Sequence, residues 1–282
     1  PEDEDRMKIA LVGRPNVGKS TLINAILGED RVVVCDRPGT TRDSISIPFD
    51  LRERRYLLID TAGVRRKAKV KETIEKFSVI KSLQAMLKSE VVVMVFNVTE
   101  GLNDQDLRLL GQVVTMGKAL VMVFNQWDAI DEDERAAYKV LIDRRLPFVN
   151  YARRYYISAL HGTGVGLLYR AINEAYDSAC RQISTGQLTR ALQKAMLAHQ
   201  PPLVRGRRIR LNLAHLGGHH PMKIVVHGKQ TPSLPDAYRR YLANYFRNTF
   251  DLVGVPIIVE LQQDTNPYVN SGKDQRKQNE SS

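Results

Sequence analysis

The sequence predicts an α/β fold, in which helices cover a mostly parallel sheet, followed by a smaller α+β unit. Two observations lead to this prediction. Up to residue 180, short apolar runs typical of buried strands alternate with segments of helical periodicity, which is the pattern of a parallel sheet with crossover helices. Beyond residue 183 the order changes to helix, strand, strand, helix, strand. A chain of 282 residues is long enough for two separate hydrophobic cores.

Changes in composition predict the domain boundaries. Residues 1–6 are mostly acidic and are expected to be a linker. Residues 7–182 form the larger predicted domain, and residues 183–264 form the smaller one. Residues 265–282 are rich in Gln, Asn, Lys and Ser and contain little apolar area, so we expect a disordered tail.

The composition favours some partners over others. A net charge of +11 favours a polyanion, for which RNA is the natural candidate; a solvated basic surface without a dedicated partner is the alternative. No apolar run reaches the roughly 20 residues of a membrane helix, so no membrane partner is expected. Cys35 and Cys180 lie far apart and lack metal-ligand spacing, which fits a reducing compartment. We expect a cytoplasmic monomer.

The individual elements follow from apolar periodicity. In the larger domain, buried strands are predicted at residues 9–12, 91–98, 119–125 and 154–157, and an antiparallel pair at 45–51 and 56–59. Helices are predicted there at residues 21–27, 72–87, 104–116, 131–146 and 166–180. The smaller unit is predicted to have helices at 188–199 and 236–251, strands at 207–214, 222–227 and 256–261, and a hairpin turn at 216–221.

Residues 13–20, GRPNVGKS, lie between the first predicted strand and the first predicted helix, which is the context of a phosphate-binding loop. Gly13 and Gly18 let the backbone wrap around phosphate, with several N–H groups at the positive end of a helix dipole. Lys19 adds a charge near the β- and γ-phosphates, and Ser20 supplies a hydroxyl to Mg²⁺. The loop therefore predicts a nucleoside triphosphate.

Two further segments are expected to act at the phosphates. Asp60 opens the DTAG sequence at the end of a predicted strand, where it can hold Mg²⁺ through water, and the N–H of Gly63 can sense the γ-phosphate. Thr41, in residues 38–43, PGTTRD, is expected to be the second hydroxyl ligand of Mg²⁺ in a nucleotide-responsive loop. A polar turn without a ligand role is the alternative for that loop.

Two segments predict the base. In residues 125–128, NQWD, the Asp128 carboxylate can accept both N1–H and N2–H₂ of guanine, which adenine does not offer in that arrangement. In residues 158–160, SAL, a backbone N–H is expected against guanine O6. Each short motif is weak by itself, but their order and placement along the chain predict a GTPase.

The motifs GRPNVGKS, PGTTRD, DTAGV and SAL resemble those of the Era/EngA family of translation-associated bacterial GTPases. Over almost its whole length, the chain is similar to the second G domain of the EngA (Der) GTPases followed by their C-terminal KH-like domain. The segment RRKAKVKETIEKFSVIKSLQAM after the third motif adds to this resemblance. The resemblance implies GTP hydrolysis coupled to assembly of the large ribosomal subunit. It also implies a further G domain in front of residue 1, with the acidic start as part of an interdomain linker.

The resemblance and the motifs together define the expected site. Nucleotide contacts are expected from Gly13, Arg14, Pro15, Asn16, Val17, Gly18, Lys19, Ser20, Thr21, Asp60, Thr61, Ala62, Gly63, Val64, Asn125, Gln126, Trp127, Asp128, Ser158, Ala159 and Leu160. The residues expected to act on the reacting phosphate are Lys19, Asn16, Thr41 and Gly63, and the Mg²⁺ ligands are Ser20, Thr41 and Asp60.

Three positions bear on catalysis and affinity. Val64 stands where Ras-like enzymes have a water-orienting glutamine, so intrinsic hydrolysis is expected to be slow. Asn16 resembles the asparagine with which related GTPases bind K⁺, which implies potassium-stimulated hydrolysis; a role in shaping the loop alone is the alternative. Gln126 replaces the usual lysine of the guanine motif, so weaker nucleotide binding is expected.

The smaller unit lacks the Gly-x-x-Gly loop with which KH domains usually clamp RNA. Basic residues concentrate in 205–210, and tyrosines alternate with arginines in 238–247, where they either stack on bases or pack a core. Contact with ribosomal RNA is the hypothesis for this unit. Two other functions stay open: a GTPase of transfer-RNA modification, which lacks such a unit, and a nucleotide-gated binding module with negligible turnover.

Overall fold

The computed structural model describes residues 5–29, 32–34, 46–59, 74–204 and 206–264. These residues divide into two compact units. The first contains the described residues up to 181 together with 219–222 and 251–257, and the second contains 182–218, 223–250 and the described residues from 258 onward. Of the predicted site, Thr41 and residues 60–64 lie outside the described residues.

The first unit is built on a seven-stranded sheet within the described residues, in the order β2-β3-β4-β1-β5-β6-β7. Its strands are β1 (Met7–Val12), β2 (Val32–Val34), β3 (Ile47–Leu51), β4 (Arg54–Ile59), β5 (Val91–Asn97), β6 (Ala119–Asn125) and β7 (Arg154–Tyr156). Its helices are α1 (Lys19–Leu27), α2 (Ile74–Lys88), α3 (Asp104–Thr115), α4 (Glu132–Arg145) and α5 (Leu168–Ala179). The predicted elements match these bounds to within two residues; β2 was not predicted.

The sheet is mostly parallel, which confirms the predicted fold class. Strand β1 pairs in parallel with β4 and β5, and β5, β6 and β7 continue in parallel, whereas β2 and β3 run antiparallel. Every residue of β5 and β6 is buried, because both faces of these central strands are covered. The rings of Phe96 and Phe124 stack there at 4.9 Å between centroids. The carboxyl ends of β1, β5 and β6 therefore share one edge.

The second unit has a three-stranded sheet in the order β10-β11-β12 and two helices that pack together. Its elements are α6 (Thr185–Ala198), β8 (Leu203–Val204), β9 (Arg207–Arg208), β10 (Arg210–His219), β11 (Met222–Lys229), α7 (Asp236–Thr249) and β12 (Ile257–Gln263). The hydroxyl of Tyr238 donates to the carbonyl of His199, and that of Tyr241 donates to the carbonyl of Ala195. These two tyrosines therefore join α7 to α6.

Several details of this unit differ from the prediction: β8 was not predicted, and the strand predicted at 207–214 is divided into β9 and β10. Helix α6 begins three residues earlier than predicted, because Ser184 accepts a hydrogen bond from the Gln187 N–H while the Gln187 side chain accepts one from the Ser184 N–H. The segment 216–221 is mostly strand: β10 continues to residue 219, and only residues 220 and 221 turn. Gly217 is a packing glycine, since a Cβ there would lie 2.7 Å from Val225 Cγ2.

Among the described residues, no helix combines the length and the apolar character that crossing a bilayer requires.

Candidate nucleotide-binding site

The loop 13–20 follows β1 and leads into α1, as the motif predicts. Gly18 precedes the helix with a left-handed backbone, φ 97°, which favours glycine. A Cβ on Gly18 would lie 2.2 Å from Asn125 Nδ2, and a Cβ on Gly13 would lie 2.4 Å from the carbonyl oxygen of Val95. Both glycines are therefore required by close contacts with the neighbouring strands β5 and β6.

Lys19 is folded back over the loop. Its Nζ donates to the carbonyl oxygens of Gly13 at 2.7 Å and Arg14 at 2.6 Å. Burial, together with the nearby positive charge of Arg14, lowers the pKa of Lys19 to about 8. The loop therefore holds a desolvated cation for which a phosphate is a matching partner.

The side-chain amide of Asn125 joins three predicted segments. Its Nδ2 donates to the carbonyl of Val17 at 3.0 Å, and its Oδ1 accepts from the N–H of Ala159 at 2.9 Å. Asn125 is only 3% exposed. The phosphate loop, the NQWD segment and the SAL segment are thus held together at the carboxyl edge of the sheet.

Asp128 presents an exposed carboxylate beside the SAL segment. Hydrogen bonding with Ser158 lowers the pKa of Asp128 below its ordinary value, so the carboxylate stays ionised at neutral pH. His161 Nε2 lies 3.4 Å from Asp128 Oδ2. An ionised carboxylate held at the end of β6 is able to accept two hydrogen bonds from a base.

The remainder of the NQWD segment is fixed by contacts that sequence reasoning missed. Arg135 of α4 donates twice to the Trp127 carbonyl, at 3.1 and 3.0 Å, and the Trp127 ring packs at 4.2 Å from that of Tyr156. Gln126 has a left-handed backbone, φ 64°, and its Oε1 lies 3.2 Å from Thr99 Oγ1. Arg135 carries no local sequence signal, since it lies on the exposed helical pattern of α4.

The other predicted site residues include several with exposed side chains and one, Arg14, whose side chain is buried. Asn16, Ser20, Thr21 and Leu160 are exposed, and Leu160 is 77% exposed, although it is a large apolar side chain. The side chain of Arg14 is instead buried against two carboxylates, those of Asp106 and Glu100, at 2.9 and 2.8 Å. Because the side chain of Arg14 is occupied by these carboxylates, only its backbone is predicted to contact the nucleotide.

The fold and the loop define a class: a P-loop G domain joined to a KH-like unit. Residues 8–126 match the family described as 50S ribosome-binding GTPase, and residues 182–262 match the KH-domain-like family of EngA bacterial GTPase enzymes, C-terminal. In particular, the chain has the G domain and the EngA-type KH-like domain of the GTPases named Der.

The relatives share most of this chain. GTPase Der of Coxiella burnetii is 58% identical over 275 residues, which are 98% of this chain and 62% of that protein. GTPase Der of Methylococcus capsulatus is 56% identical over 95% of this chain and 58% of that protein. The chain thus spans about three fifths of the length of these relatives. Among solved structures, Era of Aquifex aeolicus bound to GDP and AlF₄⁻ is 18% identical, covers 92% of this chain and 93% of its own, and has a TM-score of 0.46.

Replacing Gln126 by lysine is expected to strengthen GTP binding about fivefold, because the ammonium adds a charge-assisted hydrogen bond worth about 1 kcal/mol. The measurement is a titration with a fluorescent GTP analogue. Gln230→Lys is a matched control, since Gln230 has the same left-handed backbone, φ 61°, in the other unit. Equal affinities of Gln126→Lys and the wild type would contradict the prediction.

Proposed function

We propose that this chain binds GTP and hydrolyses it to GDP and phosphate, with residues 7–182 as the nucleotide-binding domain. The observation that carries the proposal is the amide of Asn125, which ties the phosphate loop at Val17 to the SAL segment at Ala159. Because Asp128 follows three residues later, a phosphate-binding surface and a base-binding carboxylate lie at the same edge of the sheet. The match of residues 8–126 to a GTPase family supports the same activity.

Guanine is the proposed base. The Asp128 carboxylate accepts from N1–H and N2–H₂, and a backbone N–H of the SAL segment other than that of Ala159, which donates to Asn125, faces O6. Adenine has an acceptor at N1 and no 2-amino group, so it would leave the carboxylate unpaired. An unpaired polar group in a binding site is the strongest basis for rejecting a wrong ligand.

The proposed phosphate contacts come from the loop itself. Its N–H groups and the Lys19 ammonium bind the phosphate oxygens. Two of the three N–H donors of Lys19 go to the carbonyls of Gly13 and Arg14, and the third is available to phosphate. The exposed hydroxyl of Ser20, on the first turn of α1, fits the hard oxygen ligand that Mg²⁺ prefers. Thr41 and Asp60 complete the proposed ligand set. Bound Mg²⁺ would supply positive charge to the phosphates.

Potassium is the proposed second cation. Asn16 lies at the tip of the loop with an exposed side chain and a left-handed backbone, φ 64°. An amide oxygen there is a suitable ligand for a weakly hydrated monovalent ion. Such an ion would add positive charge at the transition state, which would offset the absence of a water-orienting glutamine at Val64.

The proposed partner is the RNA of the large ribosomal subunit, with assembly of that subunit as the process served. Two features support it: the family description of residues 8–126 as a 50S ribosome-binding GTPase, and the net charge of +11. In residues 183–264, Arg208, Arg210 and Arg240 are exposed and are available for phosphate contacts. Because Tyr238 and Tyr241 bond to α6, we assign RNA contact to the arginines.

Replacing Asp128 by alanine is expected to weaken GTP binding about 10- to 150-fold, because a charged acceptor of two hydrogen bonds is lost. ATP binding is expected to be weak in both proteins. Isothermal calorimetry with GTP and ATP measures this. Asp133→Ala, an exposed aspartate on the first turn of α4, is the control. If the wild-type protein bound ATP as tightly as GTP, the proposal would be refuted.

Phosphate release from GTP is expected to be slow in NaCl, faster in KCl at equal ionic strength, and faster again with large ribosomal subunits. Asn16→Ala is expected to remove the difference between the two salts without preventing GTP binding. Equal rates in KCl and NaCl would refute the potassium site alone. No turnover under any condition, with GTP still bound, would identify a nucleotide-gated binding module instead.

A further inference from the structure

Arg14 is an unusual residue of the phosphate loop, because its guanidinium is buried beside two carboxylates of other segments. Its Nε donates to Asp106 Oδ1 at 2.9 Å and its Nη1 donates to Glu100 Oε2 at 2.8 Å. Arg14 is 9% exposed and Asp106 is fully buried. The two carboxylates lie 86 and 92 residues away along the chain. A buried charge pair of this kind holds its partners firmly, since separating them would leave a charge unpaired.

The main chain of Arg14 contacts the residue that is proposed to bind phosphate. Its carbonyl oxygen accepts from Lys19 Nζ at 2.6 Å. A shift of the Arg14 backbone would therefore displace the carbonyl against which the ammonium is placed. The side chain of Arg14 thus connects the position of Lys19 to helix α3.

The carboxylate of Asp106 accepts hydrogen bonds both from the phosphate loop and from the start of helix α3. While Oδ1 accepts from Arg14, Oδ2 accepts from the N–H of Asn103 at 3.2 Å, and the Asn103 side chain accepts from the N–H groups of Gln105 and Asp106. This capping box fixes the start of α3 and aims the Asp106 carboxylate at the loop.

A second line of contacts runs from Arg14 to the end of β5, beside the guanine motif. Asn97, the last residue of β5, donates from Nδ2 to Glu100 Oε1 at 3.0 Å. Thr99 Oγ1 lies 2.8 Å from Asn97 Oδ1 and 3.2 Å from Gln126 Oε1, and its single proton goes to one of them. The phosphate loop is thus connected to the end of β5, where Thr99 lies beside Gln126, in addition to the direct contact through Asn125.

We propose that Asp106 is a positioning residue for GTP: it holds Arg14, with Glu100 as the second contact, and so fixes the phosphate loop and Lys19 in the geometry that receives the triphosphate. This inference rests on the proposed GTP-binding function. Asp106 itself acts through Arg14 and makes no contact with the nucleotide.

The test compares Asp106→Asn with Arg6→Met. Arg6 is also buried, 5% exposed, and pairs with Asp50 at the amino end of β1, the end opposite the phosphate loop. Both variants are expected to lower the melting temperature. Only Asp106→Asn is expected to weaken binding of a fluorescent GTP analogue, by about tenfold, because a displaced Lys19 loses charge-assisted hydrogen bonding to the phosphates. Its KM for GTP is expected to rise more than its kcat falls.

A double variant separates positioning from packing. If Asp106 acts through Arg14, Arg14→Met and Arg14→Met/Asp106→Asn should weaken GTP binding equally, because the second change keeps an oxygen for the N–H of Asn103 and removes a charge that has already lost Arg14. Should Asp106→Asn not fold, Glu100→Gln is measured instead; its carboxylate is 42% exposed, and a smaller loss of GTP affinity is expected.

The possible results separate the proposed GTP-binding function from the positioning role of Asp106. Wild-type protein that binds no GTP would overturn the proposed function itself. Wild-type protein that binds GTP, with Asp106→Asn losing stability but binding GTP no more weakly than Arg6→Met does, would overturn the positioning role. Glu100→Gln with wild-type affinity, where Asp106→Asn does not fold, would overturn it as well.

Discussion

The site depends on one buried side-chain amide, that of Asn125. A carboxamide has a donor and an acceptor at opposite corners, so it can bond to a carbonyl on one side and to an N–H on the other. Asn125 uses both, toward Val17 and Ala159, which lie 108 and 34 residues away along the chain. Neither a carboxylate nor an ammonium can make this pair of contacts. The asparagine of the NQWD segment is therefore explained by a structural requirement as well as by any contact with a base.

The same contact accounts for a glycine of the phosphate loop. The amide of Asn125 approaches the loop so closely that a Cβ on Gly18 would meet Nδ2 at 2.2 Å. Gly13 is restricted in the same way by β5. Gly13 thus faces β5 and Gly18 faces the end of β6, because the carboxyl ends of neighbouring parallel strands lie together at this edge. Buried charges add a second constraint, because Arg14 and Asp106 are costly to separate.

Much of the fold could be predicted because its signals are local. The apolar runs of β5 and β6 identify the central strands, and periodicity places the surrounding helices to within two residues. The bounds of an element are predicted less accurately where a side-chain contact determines where that element begins or ends. Helix α6 begins early because of the capping box of Ser184 and Gln187, and Gly217 lies within a strand because Val225 packs over it.

The sequence by itself determined the order of the motifs, the fold class and the residue types predicted to meet phosphate and base, because each of these depends on residues that are consecutive along the chain. Only the tertiary structure decided which side chains support them. Arg14 pairs with Asp106, and Arg135 holds the Trp127 carbonyl. Such contacts join side chains from segments that are distant in sequence or from a helix to a loop, and they follow no period along the chain. They exist only once the strands are aligned, so no local pattern reveals them.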